Sequence, residues 1–359
     1  MAEALKNVYT QAFIDNLCQH IRVQYADFDD TSFTLAIFDK HWQEKELKQR
    51  MRHIAQCLHL YLPANYQTSI NILKPVSKNF SSYEAMFFQD YVECFGLEHY
   101  KTSISALAHF TKYSSSEFAV RVFILQNEKR MMKQMLRWAT SNNHHVRRLA
   151  SEGCRPRLPW AIALPVFKKN PQAVLNILKT LMFDDSEYVR RSVANNLNDI
   201  SKDNPDTVLK WARRYLGNNK NTDHLIKHAC RGLLKQGNQQ ALALFGYAKT
   251  EHINVTQFKV QTVVATGDEL QFSFFLHSHA KPLGKCRLEF AIDFVKANGS
   301  VRRKVFNISE INSTDNKKHV EKYFSFKKIS TRKYYAGKHY ITIIINGIEQ
   351  AKKPFILIP

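Results

Sequence analysis

The chain has 359 residues, 44% of them hydrophobic, which is room for two or three domains with their own cores and too apolar for disorder. Lys and Arg total 52 against 31 Asp and Glu, a formal net charge of +21. A surplus of that size argues against a soluble metabolic enzyme and for a polyanionic partner: DNA, RNA or an acidic membrane surface. The surplus is spread out. Residues 251–359 hold 18 basic and 9 acidic residues, and no block of like charge forms a tail. The basic residues are therefore expected on folded surfaces, as on a face that follows a duplex.

Met1 to Phe13 show no basic stretch leading into an apolar one. No apolar run approaches the roughly 20 residues that span a bilayer. The expectation is a cytoplasmic chain without a membrane partner. Cys18, Cys57, Cys94, Cys154, Cys230 and Cys286 never fall at C-x-x-C spacing, so scattered reduced thiols are expected rather than a zinc ribbon or redox motif.

Up to about residue 245 the chain reads as helix after helix. Val174, Ile177, Leu178, Leu181 and Met182 fall on one helical face. Pro159, Pro171 and Pro205 sit where helices could begin. The region also repeats itself. Val146-Arg147-Arg148 returns as Val189-Arg190-Arg191 and again as Ile226-Lys227-His228, at steps of 43 and 37 residues. Phe118 to Arg121 is a more degenerate copy. Helical pairs at this spacing are HEAT-like repeats, which stack into a solenoid. The paired basic positions are expected to form a ladder that contacts phosphates and sets register without reading sequence.

Near residue 250 the pattern changes. Val255–Val264, Leu270–Leu276, Arg287–Val295, Tyr340–Ile345 and Phe355–Ile358 read as strands, with turns at Asn298-Gly299 and at Tyr335 to Gly337. About seven short strands in this span predict an immunoglobulin-like sandwich, without a Cys–Trp–Cys core because only Cys286 lies here. The predicted architecture is α + β with two domains: an α-solenoid of HEAT-like repeats over 1–248 and a β-sandwich over 256–359. The linker falls at about Gly246 to Asn254.

Standard enzyme signatures are missing: no Walker loop, no G-x-G-x-x-G, no H-E-x-x-H, no G-x-S-x-G. His224 and His228 are one helical turn apart. With no further ligands nearby, a phosphate or solvent contact is the better reading than a metal. His144-His145 reads as a solvated turn. Asn254 and Asn298 open N-x-S/T triplets that are read as strand and turn chemistry. The segment Ser151 to Trp160 is denser in special residues: Glu152, Arg155, Pro156, Arg157, Pro159 and Trp160 fall together between two helices. A bland reading makes Trp160 a buried plug between repeats, with Glu152 paired to an arginine. Glu117 and Asp199, in comparable repeat positions beside basic residues, have the same bland reading as neutralising ion pairs.

Three segments carry a resemblance. Ser115 to Arg121, Glu152 to Trp160 and Val193 to Pro205 together resemble the HEAT-like alkylpurine DNA glycosylase superfamily. The added strand domain resembles the AlkC branch with its immunoglobulin-like C-terminal domain. The resemblance spans nearly the whole chain and is weakest in the first hundred residues. It implies a DNA glycosylase for cationic alkylated bases, notably 3-methyladenine and 3-methylcytosine, acting without flipping the base into a deep pocket. It implies Glu117, Glu152, Trp160 and Asp199 at the catalytic cleft. Glu152 and Asp199 are the expected charge-stabilising and water-positioning groups. Arg121, Arg148, Arg155, Arg190, Arg191 and Lys202 are expected to face DNA. The implied partner is double-stranded DNA with alkylated bases. No metal, cofactor or protein partner is expected, and the setting is a bacterial cytoplasm, at the nucleoid. Two other readings stay open: a non-catalytic repeat protein that recognises DNA or RNA structure, and a protein scaffold. Arg302, Arg303 and Lys304, and Arg332 with Lys333, flank probable loops of the strand domain, and those loops are expected to reach DNA.

Overall fold

A computed structural model describes residues 4–279, 281–328 and 333–359. Arg332 lies outside the described residues. The chain divides into two compact units: Met1–Asn204 with Gly217–Ala229, and Pro205–Leu216 with Cys230–Pro359.

The first unit is helical, and its helices follow the apolar spacing. Gln172–Leu181 buries Val174, Leu175, Ile177, Leu178 and Leu181, with Pro171 as its N-cap. Glu128–Trp138 buries Met131, Met132, Met135 and Trp138 and leaves its Lys and Arg positions outward. Pro205 opens the helix Pro205–Tyr215, which belongs to the second unit. Pro159 starts no helix; it lies in a turn, and the next helix begins at Pro165. The helix His144–Glu152 packs on Glu187–Ile200, which packs on Lys220–Ala229. These are the repeats read from the sequence, and the fold is HEAT-type. The Asn143 side chain caps the first of them by accepting from His145 N and Val146 N. None of the described helices is long and apolar enough to cross a membrane.

In two of the repeats the first basic residue is spent inside the fold. Arg147 donates to Ser141 O (2.9 Å) and Asn142 O (3.2 Å) and grips Asp184 with two bonds (2.6 and 3.0 Å). Arg190 repeats this with Asp184 O (2.7 Å) and Asp185 O (2.9 Å). Each guanidinium satisfies carbonyls of the turn that leads into its own helix, groups that would otherwise lack partners.

The second unit carries eight strands: β1 Ile253–Val260, β2 Val263–Ala265, β3 Glu269–Ser278, β4 Gly284–Val295, β5 Val301–Ser313, β6 Lys317–Ser325, β7 Gly337–Ile345 and β8 Ile348–Ile358. They form a three-stranded sheet, β1-β3-β6, and a five-stranded sheet, β2-β8-β7-β4-β5, an immunoglobulin-like arrangement. All pairings are antiparallel except β2 with β8. β3 alternates cleanly, with Leu270, Phe272, Phe274 and Leu276 buried. β5 and β6 were not read from the sequence; charged and polar residues interrupt their apolar positions, and of the two strands only Val320 is fully buried. Asn298-Gly299 does form the β4–β5 turn, with Gly299 at φ +74.

The sequence pattern changes near residue 250, but packing divides the chain earlier. Arg231–Lys235 and Gln239–Leu244 group with the strands. Lys285 Nζ donates to Phe245 O (2.7 Å), and Asn346 Nδ2 donates to Ala248 O (2.8 Å). The β7–β8 turn meets this segment backbone to backbone. A Cβ on Gly347, at φ +77, would lie 2.6 Å from Gly237 Cα and 2.9 Å from Leu242 Cδ1. Gly347→Ala therefore combines a left-handed backbone with a clash, and it is expected to cost about 1–3 kcal/mol of stability. Thermal unfolding checks this; an unchanged midpoint would show that the turn can move away.

Candidate active site

Three carboxylates come together from separate segments. Glu117 lies just before the helix Val120–Gln126, Glu152 ends the helix His144–Glu152, and Asp199 lies in the last turn of Glu187–Ile200. Glu152 is 3% and Asp199 2% exposed. Water cannot solvate them, so cations must.

The cations alternate with the acids. Arg148 Nη1 donates to Glu117 Oε2 (2.5 Å), and its Nη2 lies 3.5 Å from Glu152 Oε1. Arg155 Nη1 donates to Glu152 Oε1 (2.6 Å) and its Nε to Asp199 Oδ2 (2.8 Å). Lys202 Nζ closes the row on Asp199 Oδ1 (3.0 Å). Burial works most strongly against the charge of Arg148 and of Arg155. Glu152 with Glu117 outweighs it for Arg148, and Glu152 with Asp199 for Arg155, so both guanidinium groups are held above their ordinary pKa. Two serines add further bonds to the acids. Ser192 Oγ donates to Glu152 Oε2 (2.6 Å), and Ser115 Oγ donates to Glu117 Oε2 (2.7 Å). Both oxygens of Glu152 and of Asp199 are thus bonded, while the bonds to Glu117 converge on Oε2. Tyr188 lies over the Arg148 guanidinium at 4.9 Å.

Trp160 belongs to the loop that follows Glu152. It is 73% exposed and sits at φ +62, a conformation costly for a bulky side chain. It is no plug between repeats. Arg121 pins the loop on both sides of it: Nη1 donates to Gly153 O (2.9 Å) and Arg155 O (2.9 Å), and Nε donates to Ile162 O (2.6 Å). Lys48 Nζ takes Trp160 O itself (2.8 Å) and lies 4.7 Å from the Phe118 ring.

These contacts correct the expected basic ladder. Arg121 is 1% exposed and cannot reach a phosphate; burial pulls its guanidinium down to about 10. Arg155 is buried between two acids, Arg148 is turned onto Glu117 and Glu152, and Arg190 is tied to its own turn. Their donors were committed before any partner arrives. Arg191 and Lys202 keep outward side chains, Arg191 beside Glu187 at 3.0 Å. His228 is neither free for phosphate nor part of a metal set among the described residues; its Nε2 meets Asn195 Oδ1 at 3.0 Å. The His144 and His145 rings lie with centroids 4.1 Å apart and planes tilted by 35°, beside Tyr188.

Sequence reading missed Lys48, Ser115, Tyr188 and Ser192. Ser192 directly follows the repeated Arg-Arg pair, and that place in the repeat was a signal for it. Lys48 had none, since 112 residues separate it from Trp160.

Comparison with known proteins follows the same outline. Residues 109–250 match the family described as DNA alkylation repair enzyme, and residues 254–359 the family described as the YhaZ C-terminal Ig-like domain. The uncharacterized protein YhaZ of Bacillus subtilis (strain 168) is 46% identical over 345 residues, 96% of each chain. The Pseudomonas fluorescens alkylpurine DNA glycosylase AlkC, solved bound to DNA containing an abasic site analog, matches with a TM-score of 0.94. It is 33% identical, over 99% of this chain and 100% of that one. The chain belongs to the DNA alkylation repair enzymes of AlkC type. In this member of the family, the three resemblance segments are the ones that supply the carboxylate row and the Trp160 loop.

Removing Arg155 would leave Glu152 and Asp199 buried without their shared cation. Arg155→Met is expected to destabilise the chain by about 3–5 kcal/mol, the cost of breaking a buried ion pair from one side. Denaturant unfolding of the first unit reads this directly, and a change under about 1 kcal/mol would mean the acids relax to other partners.

Proposed function

We propose that the chain is a DNA glycosylase that releases cationic alkylated bases, 3-methyladenine and 3-methylcytosine, from double-stranded DNA without flipping the base into a pocket. The observation that carries this reading is Trp160: an exposed indole in a strained backbone, pinned by two cations, on the loop that runs out of a buried carboxylate row. Strain and burial of this kind cost stability, which marks a site kept for another purpose. The similarity to AlkC, whose structure holds DNA with an abasic site analog, supports the same reading, as does the net charge of +21.

A base alkylated at a ring nitrogen carries positive charge, so its bond to C1′ is already weak. As that bond breaks, its electron pair leaves with the base, which becomes neutral. Positive charge then develops on the sugar at C1′. Water adds there and gives up a proton. Carboxylates in a dry site oppose the developing charge more effectively than in water. Glu152 and Asp199 supply that potential; their oxygens accept from arginine, serine and lysine and keep lone-pair capacity beyond those bonds. Glu117 Oε1 is the carboxylate oxygen not engaged by Arg148 or Ser115, which suits it to take the proton from water. The Trp160 face attracts a cationic base over a neutral one by about 0.5–2 kcal/mol.

A second reading, a repeat protein that recognises DNA or RNA structure without chemistry, has one observation in its favour: every acid in the row already faces a cation of the chain itself. Release of free methylated base from a methylated duplex separates the two. Under the glycosylase reading the intact chain releases base. Glu152→Gln keeps duplex affinity and loses excision by about a hundredfold or more. Equal rates for variant and parent would remove Glu152 from the chemistry, and no release by either would leave recognition alone.

Salt titration of duplex binding tests which cations meet phosphate. Arg191→Ala is expected to flatten the slope of log affinity against log salt by about one unit. Arg148→Met should leave that slope unchanged, because its charge is already matched by Glu117 and Glu152. A flattened slope for Arg148→Met would show that it turns outward on DNA.

A further inference from the structure

The loop that carries Trp160 sets exposed apolar side chains between buried anchors. Leu158 and Leu164 are buried, and Leu164 N donates to Pro156 O (3.3 Å), which closes the loop at its base. Between them stand Trp160 and Ile162, the latter 54% exposed, and Val166 follows as a third exposed apolar residue. Apolar residues scattered singly on a surface need no explanation. These three fall within seven positions, and the backbone beneath the first two is not free to fold them away. Lys48 holds the Trp160 carbonyl and Arg121 the Ile162 carbonyl. Arg157, at the start of the loop, is tied to Asp203 by two bonds (3.0 and 2.7 Å). Past its end, Asn204 Nδ2 donates to Lys168 O (2.7 Å). Pro156, Pro159 and Pro165 remove further freedom. All of these residues belong to the first unit.

The glycosylase reading gives the stiff loop a task, and the inference rests on that reading. Glu152 and Asp199 are buried and tied, so the row cannot reach out to a sugar. The sugar has to come to the row. In a stacked duplex C1′ lies on the minor-groove side, in a groove only about 6 Å wide. With the base left unflipped, the groove itself must open. An apolar side chain inserted at a base step from the minor groove unstacks that step and kinks the duplex toward the major groove, which widens the minor groove there. Isoleucine suits this work, because its branched side chain is stiff. Residues 160 and 162 are at most about 7 Å apart along the chain, which is two base-pair rises of about 3.4 Å. An indole at the lesion therefore leaves Ile162 at the adjoining step. Lys169, exposed at the end of the helix Pro165–Lys169, suits the phosphates of a strand that passes the loop. We propose that Ile162 is a wedge that enters the base step beside the lesion from the minor groove and opens it, so that C1′ meets the carboxylate row.

Fluorescence of 2-aminopurine, which is quenched while the base is stacked, tests this. The full chain is titrated against a duplex that carries an abasic-site analogue, with 2-aminopurine in an adjoining base pair. Binding of the parent should raise the signal severalfold. Ile162→Ala should lose most of that rise and keep duplex affinity within about threefold, since phosphate contacts supply most of the affinity. Its release of base from a methylated duplex should fall by about tenfold, in kcat rather than KM. Ile162→Leu, which restores an apolar side chain of the same size, should recover both. Leu60→Ala removes an equally exposed apolar residue at the far end of the helix that carries Lys48, and it should change neither. A signal that does not rise with the parent, or that rises equally with Ile162→Ala, overturns the wedge even where base is released. A rise that depends on Ile162 while the parent releases no base overturns the glycosylase reading and leaves the wedge in place.

Discussion

One guanidinium holds the candidate site together. Arg155 reaches Glu152 in its own repeat and Asp199 in the next, and all three are shut off from water. Ions of this kind cost several kcal/mol each to bury, and the arrangement closes only when every charge meets its opposite. The alternation from Glu117 through Arg148, Glu152, Arg155 and Asp199 to Lys202 is the consequence. A carboxylate row buried without those cations would take up protons or fill with water. With them each carboxylate is charge-matched and held in place, which is the condition for acting on a developing positive charge.

The same residue type does several jobs here, and burial decides which. Arg147 and Arg190 serve the carbonyls of repeat turns. Arg148 and Arg155 serve acids. Arg121 serves the loop that presents Trp160, at the cost of a desolvated guanidinium whose Nη2 has no partner. Such a residue is retained for the conformation it enforces, because a fully buried cation rarely improves stability by itself. What is left of the basic surplus for an outside partner includes outward side chains such as Arg191.

The strand unit shows how far its core extends back along the chain. β4 is buried along nearly its whole length, on both faces, with Arg287 and Glu289 paired at 2.7 Å on the side away from the aromatic core. A strand covered on both faces needs a second layer, and the short helices before residue 250 contribute to it. Gly237 and Gly347 let the two backbones meet where any side chain would hold them apart.

The sequence by itself determined the helical repeats, the later strands, the surplus of positive charge and the segments that resemble the alkylation repair family. Those features are carried by spacing and composition, which are local: an apolar face recurs every three or four residues, and a strand alternates in two. Glu117, Glu152, Trp160 and Asp199 were legible as a set only through resemblance. Their assembly into one row was settled by the stacking of repeats, which brings residues 31 to 44 positions apart into hydrogen-bond contact. β5 and β6 escaped notice because charged and polar residues interrupt the apolar positions of these edge strands. The direction of each arginine was decided by tertiary structure alone. Two adjacent basic residues look identical in a sequence, yet a helix turns them about 100° apart, so one meets a buried acid and its neighbour meets a turn or open solvent.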